Sequence, residues 1–589
     1  MKRLLIYLRD YKKESVLGPL FKMIEALLEL FVPLVMAAII NTGVANGDKS
    51  YIVKMGALLV FIALLGLTVS VIAQFFAAKA ACGFAAKLRE ALYEHIQSLS
   101  FSEIDTIGTS TMITRMTSDV NQLQNGVNMT LRLFLRSPFV VFGAMIMAFY
   151  VNSKVALWFV AAILLLSAVV YGVMAFTIPG YKKVQKKLDH LLLLTRENIQ
   201  GVRVIRAFGR EEKERETFRT ENEVYTELEL FVGKISVIAS PITFIIVNLI
   251  TLGIIYSGAL QVEEGILLKG DVVALVNYMA QILVELVKFA NLLVTINKAL
   301  ACADRVADVL DTTGSMEEGT ATMNGQEDAT QKSGQDAGGD RNEVAKVEFL
   351  GACLRYKESA EDSLEEISFS VLPGETIGII GGTGSGKTSL VHMIPRFYDA
   401  RKGEVFVDGK NVKDYELSTL RKKIGIVLQK TVLFEGTLRD NLLFANENAT
   451  DDDMYEALTL AQAMEIVREK GKGLDMPIIA AGKNLSGGQR QRISIARALV
   501  RKPEILILDD SASALDMYTD KMLRNALSTL TDTTVFIVSQ RVASVKGADR
   551  IVVMHEGQIA GIGTHTELLE HCEIYREIYD SQYPKEVEA

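Results

Sequence analysis

Cysteine is scarce. Only Cys82, Cys302, Cys353 and Cys572 occur in 589 residues, too widely spaced for a CxxC pair or a metal-ligand set. That argues against a disulfide-stapled scaffold and leads one to expect buried, reduced thiols. A surplus of positive charge is also missing. Lys and Arg number 63 against 71 Asp and Glu, a formal net charge of −8, so the chain has no general electrostatic footprint for nucleic acid. The first residues lack the continuous apolar core of a secretory signal, because Arg9, Asp10, Lys12, Lys13 and Glu14 interrupt it. Leu4, Leu5, Leu8 and Tyr11 fall instead at helical spacing and predict an amphipathic helix at a membrane surface. Beyond Arg305 there is no long charge-free run.

The N-terminal half holds what the C-terminal half lacks. Hydrophobic residues make up 49% of the chain and charged residues 23%, at a mean hydropathy of +0.23, so the apolar residues must be concentrated. Charge-free stretches run over 55–78, 137–153, 155–181 and 235–262. Most match or exceed the roughly 20 apolar residues that cross a bilayer as a helix. Six spans are expected near 16–40, 52–78, 130–151, 155–178, 235–260 and 272–297, the first and last less apolar. Lys2, Arg3, Arg9, Lys12 and Lys13 precede span one, and Lys182, Lys183, Lys186, Lys187, Arg196, Arg203, Arg206 and Arg210 lie between spans four and five. By the positive-inside rule these segments, both termini and the C-terminal domain are cytoplasmic, in a multi-pass protein of the cell membrane.

The internal segments 79–129 and 179–234 are long and rich in helix formers, whereas the external loops are short. Twenty helical residues beyond the bilayer reach roughly 30 Å into the cytoplasm. Each internal segment is therefore expected to form a hairpin of extended helices with its tip near 102–111 or 200–210; two ordinary helical loops are the alternative. Residues 311–342 hold seven acidic residues against Lys332 and Arg341 and almost no large apolar side chain. Such a segment cannot offset its ordering entropy and reads as a flexible acidic linker. The expected division is 1–310 membrane domain, 311–343 linker and 344–589 soluble domain.

From Val344 onward the pattern becomes short β-rich runs with turns and helices. Residues 376–380 lead into Gly381, Gly382, Thr383, Gly384, Ser385, Gly386, Lys387 and Thr388, which fit G-x-x-x-x-G-K-S/T between a strand and a helix. Glycines let successive backbone N–H groups face phosphates, Lys387 brings charge to the β/γ groups of ATP, and the Thr388 hydroxyl can ligate Mg²⁺. The apolar run 505–508 ends in Asp509, a second Mg²⁺ ligand in this phosphoryl-transfer class. Leu485, Ser486, Gly487, Gly488 and Gln489 open another helix and offer a second phosphate cradle.

Two cradles for one nucleotide are odd. At this point the sequence resembles ATP-binding cassette (ABC) exporters over nearly its whole length. The resemblance implies an α-helical membrane domain of six spans with long cytoplasmic extensions, followed by an α/β P-loop ATP-binding cassette domain. It also resolves the oddity, because two such domains meet head to tail and each ATP lies between the phosphate loop of one and the LSGGQ of the other. It further implies that Tyr356 stacks on adenine, although a plain packing role is the alternative. Gln429 would sense Mg²⁺ and the γ-phosphate; Ser486, Gly487, Gly488 and Gln489 would contact the partner's ATP; and Ser513 to Asp516 would form a loop across the dimer. The tips near 102–111 and 200–210 would dock on the nucleotide-binding domains.

Two positions depart from the family pattern. Where the family places Glu after the strand aspartate to polarise water, this chain has Asp510, one methylene shorter; where it has a switch-loop His, this chain has Gln540. A base must come within about 2.6–3.2 Å of its water, and an amide cannot carry positive charge. Together they predict an ATP site that binds nucleotide but hydrolyses it slowly. Since LSGGQ is intact and serves the other chain's nucleotide, the expected partner is a different half-transporter carrying the Glu and His. The acidic residue the family often places before LSGGQ is also absent from residues 478–482.

In the spans, Lys22, Glu25 and Glu29 interrupt the first, and Asn277, Gln281, Glu285 and Lys288 draw a polar line along the sixth. Glu29, Asn277, Gln281 and Glu285 are candidate substrate-path residues suited to a cationic amphipathic molecule. Lys22 and Glu25 reaching the cytoplasmic edge, and a Glu285/Lys288 ion pair, are the alternatives. The expected activity is ATP-driven export of amphipathic or multidrug-type substrates. A lipid flippase and a mainly regulatory ATP-binding subunit remain the alternative functions.

Overall fold

The computed structural model describes residues 2–316, 319, 344–357 and 359–583. Most of the stretch read as a linker, 311–343, therefore lies outside the described residues. The chain divides into two compact units, one of Met1–Gln97 with Ser110–Thr312 and one of Ser98–Thr109 with Thr313–Ala589.

Among the described residues, six helices are long and apolar enough to cross a membrane: Arg3–Val44, Lys49–Ser98, Thr109–Val151, Ser153–Gln200, Glu211–Glu263 and Lys269–Leu310. Each of the expected spans falls inside one of them. At 50 residues, Lys49–Ser98 runs about 75 Å, more than twice the ~30 Å hydrocarbon thickness. The surplus forms the cytoplasmic extensions. Spans three and four are joined at Asn152 alone, which leaves the helix at φ −161° and caps the fourth by accepting from the N–H groups of Lys154 and Val155. Small residues let the helices close. Gly126 faces Ala299, and a Cβ there would stand 2.4 Å from the Ala299 methyl. Near this contact Arg305 grips Asp119 at 2.6 Å, with Arg115 as the second cation at 2.8 Å.

The N-terminal segment Lys2–Tyr11 is helical, as the spacing predicts, but wound as a 3₁₀-helix. Side chains three apart then align instead of following the 3.6-residue period. Leu4 is buried and packs with Tyr7 and Leu8 against Phe84, Leu88 and Val306, whereas Leu5 and Ile6 stay exposed.

The second unit contains a six-stranded sheet in the order Gln558–Gly563, Arg550–His555, Thr376–Gly381, Thr534–Ser539, Ile505–Asp509, Ile424–Val427. All neighbours are parallel except the Gln558–Gly563 edge. Every residue of Ile505–Asp509 is buried, as expected of a central parallel strand covered on both faces. A four-stranded antiparallel sheet (Leu364–Val371, Val347–Leu354, Lys402–Val407, Lys410–Asn411) packs beside it and shares a core with the first strand of the phosphate loop. Register aligns Asp509 with Val538 and Ile380 with Ser539, so these strands end together at one edge. In open α/β sheets that carboxyl edge is where ligands bind.

Candidate functional site

A cleft of about 1170 Å³ opens at this edge, and its lining includes Tyr356, Lys387, Thr388, Gln429, Asp509, Asp510 and Gln540. The loop that shapes it depends on glycine at specific points. Gly384 and Gly386 adopt φ of +80° and +94°, values that L side chains rarely tolerate. A Cβ on Gly381 would stand 2.2 Å from the Met554 carbonyl oxygen. At Gly382 nothing lies within 4 Å, so that side of the loop is open for a phosphate. Lys387 Nζ donates to the carbonyls of Gly381 at 3.0 Å and Gly382 at 2.6 Å, and to the Ser385 hydroxyl at 3.3 Å. Burial lowers its ammonium from the usual lysine range, and the nearby Asp510 and Asp509 oppose that shift.

Thr388 is the second residue of helix Lys387–Met393 and donates its hydroxyl to Asp509 Oδ1 at 2.9 Å. The other oxygen, Oδ2, is buried and has no hydrogen-bond partner among the described residues. Burial pushes this carboxyl upward, the Thr388 hydroxyl working against it. A carboxylate oxygen without a partner, beside a hydroxyl, suits a hard divalent cation. Thr388 and Asp509 therefore fit Mg²⁺, which when bound would neutralise phosphate charge.

The positions that depart from the catalytic pattern lie in the same cleft. Asp510 sits at φ +48°, its N–H donating to the Val538 carbonyl at 3.0 Å. Its own carbonyl accepts from Gln491 Nε2 at 3.2 Å and from the Ser513 hydroxyl at 2.9 Å. Gln540 follows strand Thr534–Ser539, and its carbonyl accepts from Gln582 Nε2 at 2.7 Å. Tyr356 shares a hydrogen bond with the Ser389 hydroxyl at 2.9 Å, and its ring stands edge-on to Tyr398 with centroids 5.0 Å apart.

The second cradle is elsewhere. Ser486 caps helix Gly487–Leu499, its hydroxyl accepting from the Gln489 N–H, while the Gln489 side chain accepts from the Ser486 N–H. None of residues 486–489 lines the cleft, and Ser486 and Gly487 are exposed. Asp516, read as a residue of the loop across the dimer, caps helix Met517–Leu527 by accepting from the Thr519 N–H at 3.0 Å. Sequence reasoning missed Gln491, which ties helix Gly487–Leu499 to the loop after Asp510 by bonding both Asp510 and the Ala514 N–H. It also missed His392, whose Nε2 is buried 3.8 Å from Asp509 Oδ2; a signal existed in its spacing, four residues beyond Thr388 on one helix face.

Residues 15–286 match the family model for the ABC transporter transmembrane region, and residues 364–513 match the family model described as ABC transporter. The uncharacterized ABC transporter ATP-binding protein YfiB of Bacillus subtilis (strain 168) is 34% identical over 587 residues, covering 100% of this chain and 99% of its own. The chain belongs to the ABC transporter family. A further relative is the ATP-dependent lipid A-core flippase of Hahella chejuensis, 28% identical across 98% of each chain. In fold, the solved structure of a bacterial Atm1-family ABC exporter with ATP bound is similar at a TM-score of 0.77 and 20% identity, over 99% of both chains. The architecture is that of an exporter half-transporter: a multi-pass membrane protein with a cytoplasmic nucleotide-binding domain, coupled to ATP hydrolysis.

In this ABC exporter half, the tip of the first cytoplasmic hairpin belongs to the nucleotide-binding unit. Phe101 stacks on Phe397 at 4.3 Å, and the Tyr398 hydroxyl donates to Asp105 Oδ2 at 2.6 Å. Glu103 is buried and accepts from Ser100. Tyr398 in turn touches the ring of Tyr356, so the tip lies two side chains from the expected adenine position. The tip of the second hairpin, helix Val202–Ala207, buries no residue.

Removing the Tyr398 hydroxyl takes away a charge-assisted bond worth at most ~1.5–3 kcal/mol, less at an exposed contact. Tyr398→Phe should therefore lower transport per ATP hydrolysed about three- to tenfold, with ATP affinity nearly unchanged. Asp105→Asn added to it should cost little more, as a double-mutant cycle on the coupling ratio will show.

The polar residues of the spans come together around an arginine that the sequence reading did not single out. Arg136 donates to Glu285 Oε1 at 2.5 Å and to Glu29 Oε2 at 2.6 Å. Glu285 also accepts from Ser137 at 2.9 Å and Lys288 at 2.8 Å, so the Glu285/Lys288 ion pair is present. The Tyr278 hydroxyl donates to the Leu30 carbonyl at 2.7 Å, and Gln281 lies against the Glu29 carbonyl at 3.5 Å. Asn277 is exposed. Lower in span one, Lys22 pairs with Glu25 at 2.6 Å and with the Ser70 hydroxyl at 3.1 Å.

Proposed function

We propose that this exporter half works in a heterodimer whose two ATP sites are unequal. The observation that carries the proposal is the pair Asp510 and Gln540 in the cleft of Lys387, Thr388 and Asp509. ATP binds there, held by the 381–388 loop and by Thr388 and Asp509 through Mg²⁺, with Tyr356 against adenine and Gln429 at the γ-phosphate. The Asp510 carboxylate falls about 1 Å short of where a Glu would hold the attacking water, and small misplacements are costly. Gln540 supplies no positive charge. Hydrolysis therefore occurs mainly at the other site, to which this chain contributes Ser486, Gly487, Gly488 and Gln489, with Asp516 in the adjoining loop. All of them lie outside this chain's own cleft, and Ser486, Gly487 and Asp516 are exposed, which is consistent with that role. The partner is a different half-transporter carrying the Glu and the switch His.

Closure of the two nucleotide-binding domains on ATP moves the helical hairpins and turns the cavity outward, and hydrolysis at the competent site resets it. The cargo is an amphipathic or multidrug-type molecule taken from the cytoplasm or inner leaflet. The boundaries 1–310, 311–343 and 344–589 belong to the same proposal.

The test is ATPase activity of the chain purified alone and with its co-purifying partner. The chain alone should turn over about a hundredfold more slowly than the pair, the lower end of what a positioned general base contributes. Comparable turnover by a homodimer of this chain would sink the asymmetric reading.

A further inference from the structure

Four charged side chains at membrane depth alternate in sign along one line: Glu29, Arg136, Glu285, Lys288. They come from spans one, three and six. The middle two are buried, with side chains only 7% and 4% exposed, whereas the end groups Glu29 and Lys288 are 44% and 45% exposed. We infer that this ladder recognises an amphiphile whose head carries one positive and one negative charge, the cation meeting Glu29 and the anion meeting Lys288. The inference rests on the export reading and names the substrate class of that same transporter.

Charge balance is the first argument. Every carboxylate of the ladder already has a cation, and the four charges sum to zero. A lone cation would meet a Glu29 largely neutralised by Arg136, and a lone anion a Lys288 tied to Glu285. Either would carry an uncompensated charge into a region where that is costly. A head bearing both charges satisfies both ends, leaves the middle pair intact and adds no net charge.

Position is the second. Glu29 lies 15 residues below Val44, Arg136 15 below Val151 and Glu285 16 beyond Lys269, and the positive-inside rule makes these three helix ends the external ones. At 1.5 Å per residue all three lie about 22–24 Å from the external ends. In a hydrocarbon layer of ~30 Å that is the cytoplasmic leaflet, near the level of its headgroups.

Access is the third. Half-exposed charges turned to acyl chains would be costly, so both ends must face a polar space. Asn277 and Lys288, both exposed, are eleven residues or three helical turns apart and share one face of span six. Arg132, one turn nearer the cytoplasm than Arg136, is the neighbouring basic group that could instead favour an anion.

The assembled exporter in proteoliposomes, supplied with ATP, should be compared on single-tailed probes of equal tail length with phosphocholine, quaternary ammonium or phosphate heads. A two-tailed phosphocholine lipid makes the fourth arm. The phosphocholine head should move at least tenfold faster than either singly charged head. Movement of the two-tailed probe identifies a membrane lipid as the source, and movement of the single-tailed one alone a soluble amphiphile. Glu29→Gln should shift the preference toward the phosphate head and Lys288→Gln toward the ammonium head. Both side chains are half-exposed, so either variant suffices if the other fails to assemble. A wild-type preference for one singly charged head, or an order unmoved by both variants, would overturn the inference while leaving export standing. If no probe moves with ATP, the export reading falls and this inference with it.

Discussion

Gly488→Asp in the assembled exporter should cut ATP turnover by a hundredfold or more, whereas Lys387→Ala in the same assembly should cost less than tenfold. The asymmetry follows from where each residue acts. Gly488 lies in the first turn of helix Gly487–Leu499, and a Cβ there would stand 2.9 Å from the Ala514 carbonyl oxygen. Any side chain therefore presses this first turn against the loop that follows Asp510. An aspartate also sets a negative charge where the partner-bound phosphates should approach. Losing one preorganised donor to a developing charge costs about 10²–10³, and repulsion adds to it. Gly488→Ala, with the steric effect alone, should fall between wild type and Gly488→Asp. Under the asymmetric reading, Lys387 serves only this chain's own nucleotide, at the site proposed to be slow. Steady-state ATPase with nucleotide occupancy measured in parallel checks this. Equal large losses from both substitutions would mean that turnover needs this chain's own site as much as its partner's.

The parts legible in the sequence are those whose residues are neighbours in it. Six charge-free or nearly charge-free runs gave six helices, because crossing hydrocarbon requires contiguous apolar side chains whatever they pack against. The phosphate loop was equally plain, since Gly384 and Gly386 must take positive φ within one short turn. Arg136 was not. It stands at the border of an apolar run and looks like a flanking charge, yet its partners Glu29 and Glu285 are 107 and 149 residues away. No spacing rule joins residues at that separation. The same holds for Tyr398 and Asp105, 293 residues apart. Gln491 hides differently, inside a glutamine- and arginine-rich helix start where its burial against the Asp510 carbonyl has no periodic signature. At the N-terminus the apolar spacing predicts a helix, but its 3₁₀ winding and the exposure of Leu5 depend on how Leu4 and Leu8 dock and not on local spacing.

If Asp510 and Gln540 are what slow the cleft, restoring the family's Glu and His there should speed hydrolysis. In homodimers of this chain captured in lipid nanodiscs, Asp510→Glu with Gln540→His is expected to raise ATP turnover about a hundredfold, with little change in ATP affinity. The homodimer is the informative assembly, because each site then combines the Lys387 loop with an intact Ser486–Gln489 cradle from the facing copy. The added methylene carries the carboxylate about 1 Å further, into the 2.6–3.2 Å range a general base needs, which contributes typically 10²–10⁴-fold. The imidazole restores a side chain that can become cationic near neutral pH at the γ-phosphate. Each single substitution should recover much less than the pair, because groups acting on one transition state are not additive. The backbone should accept the change, since the left-handed φ of +48° at Asp510 is fixed by its N–H bond to Val538 and by Gln491 on its carbonyl, neither of which involves its side chain. If the double variant binds ATP and dimerises but stays as slow as the parent, the slowness has its origin outside Asp510 and Gln540.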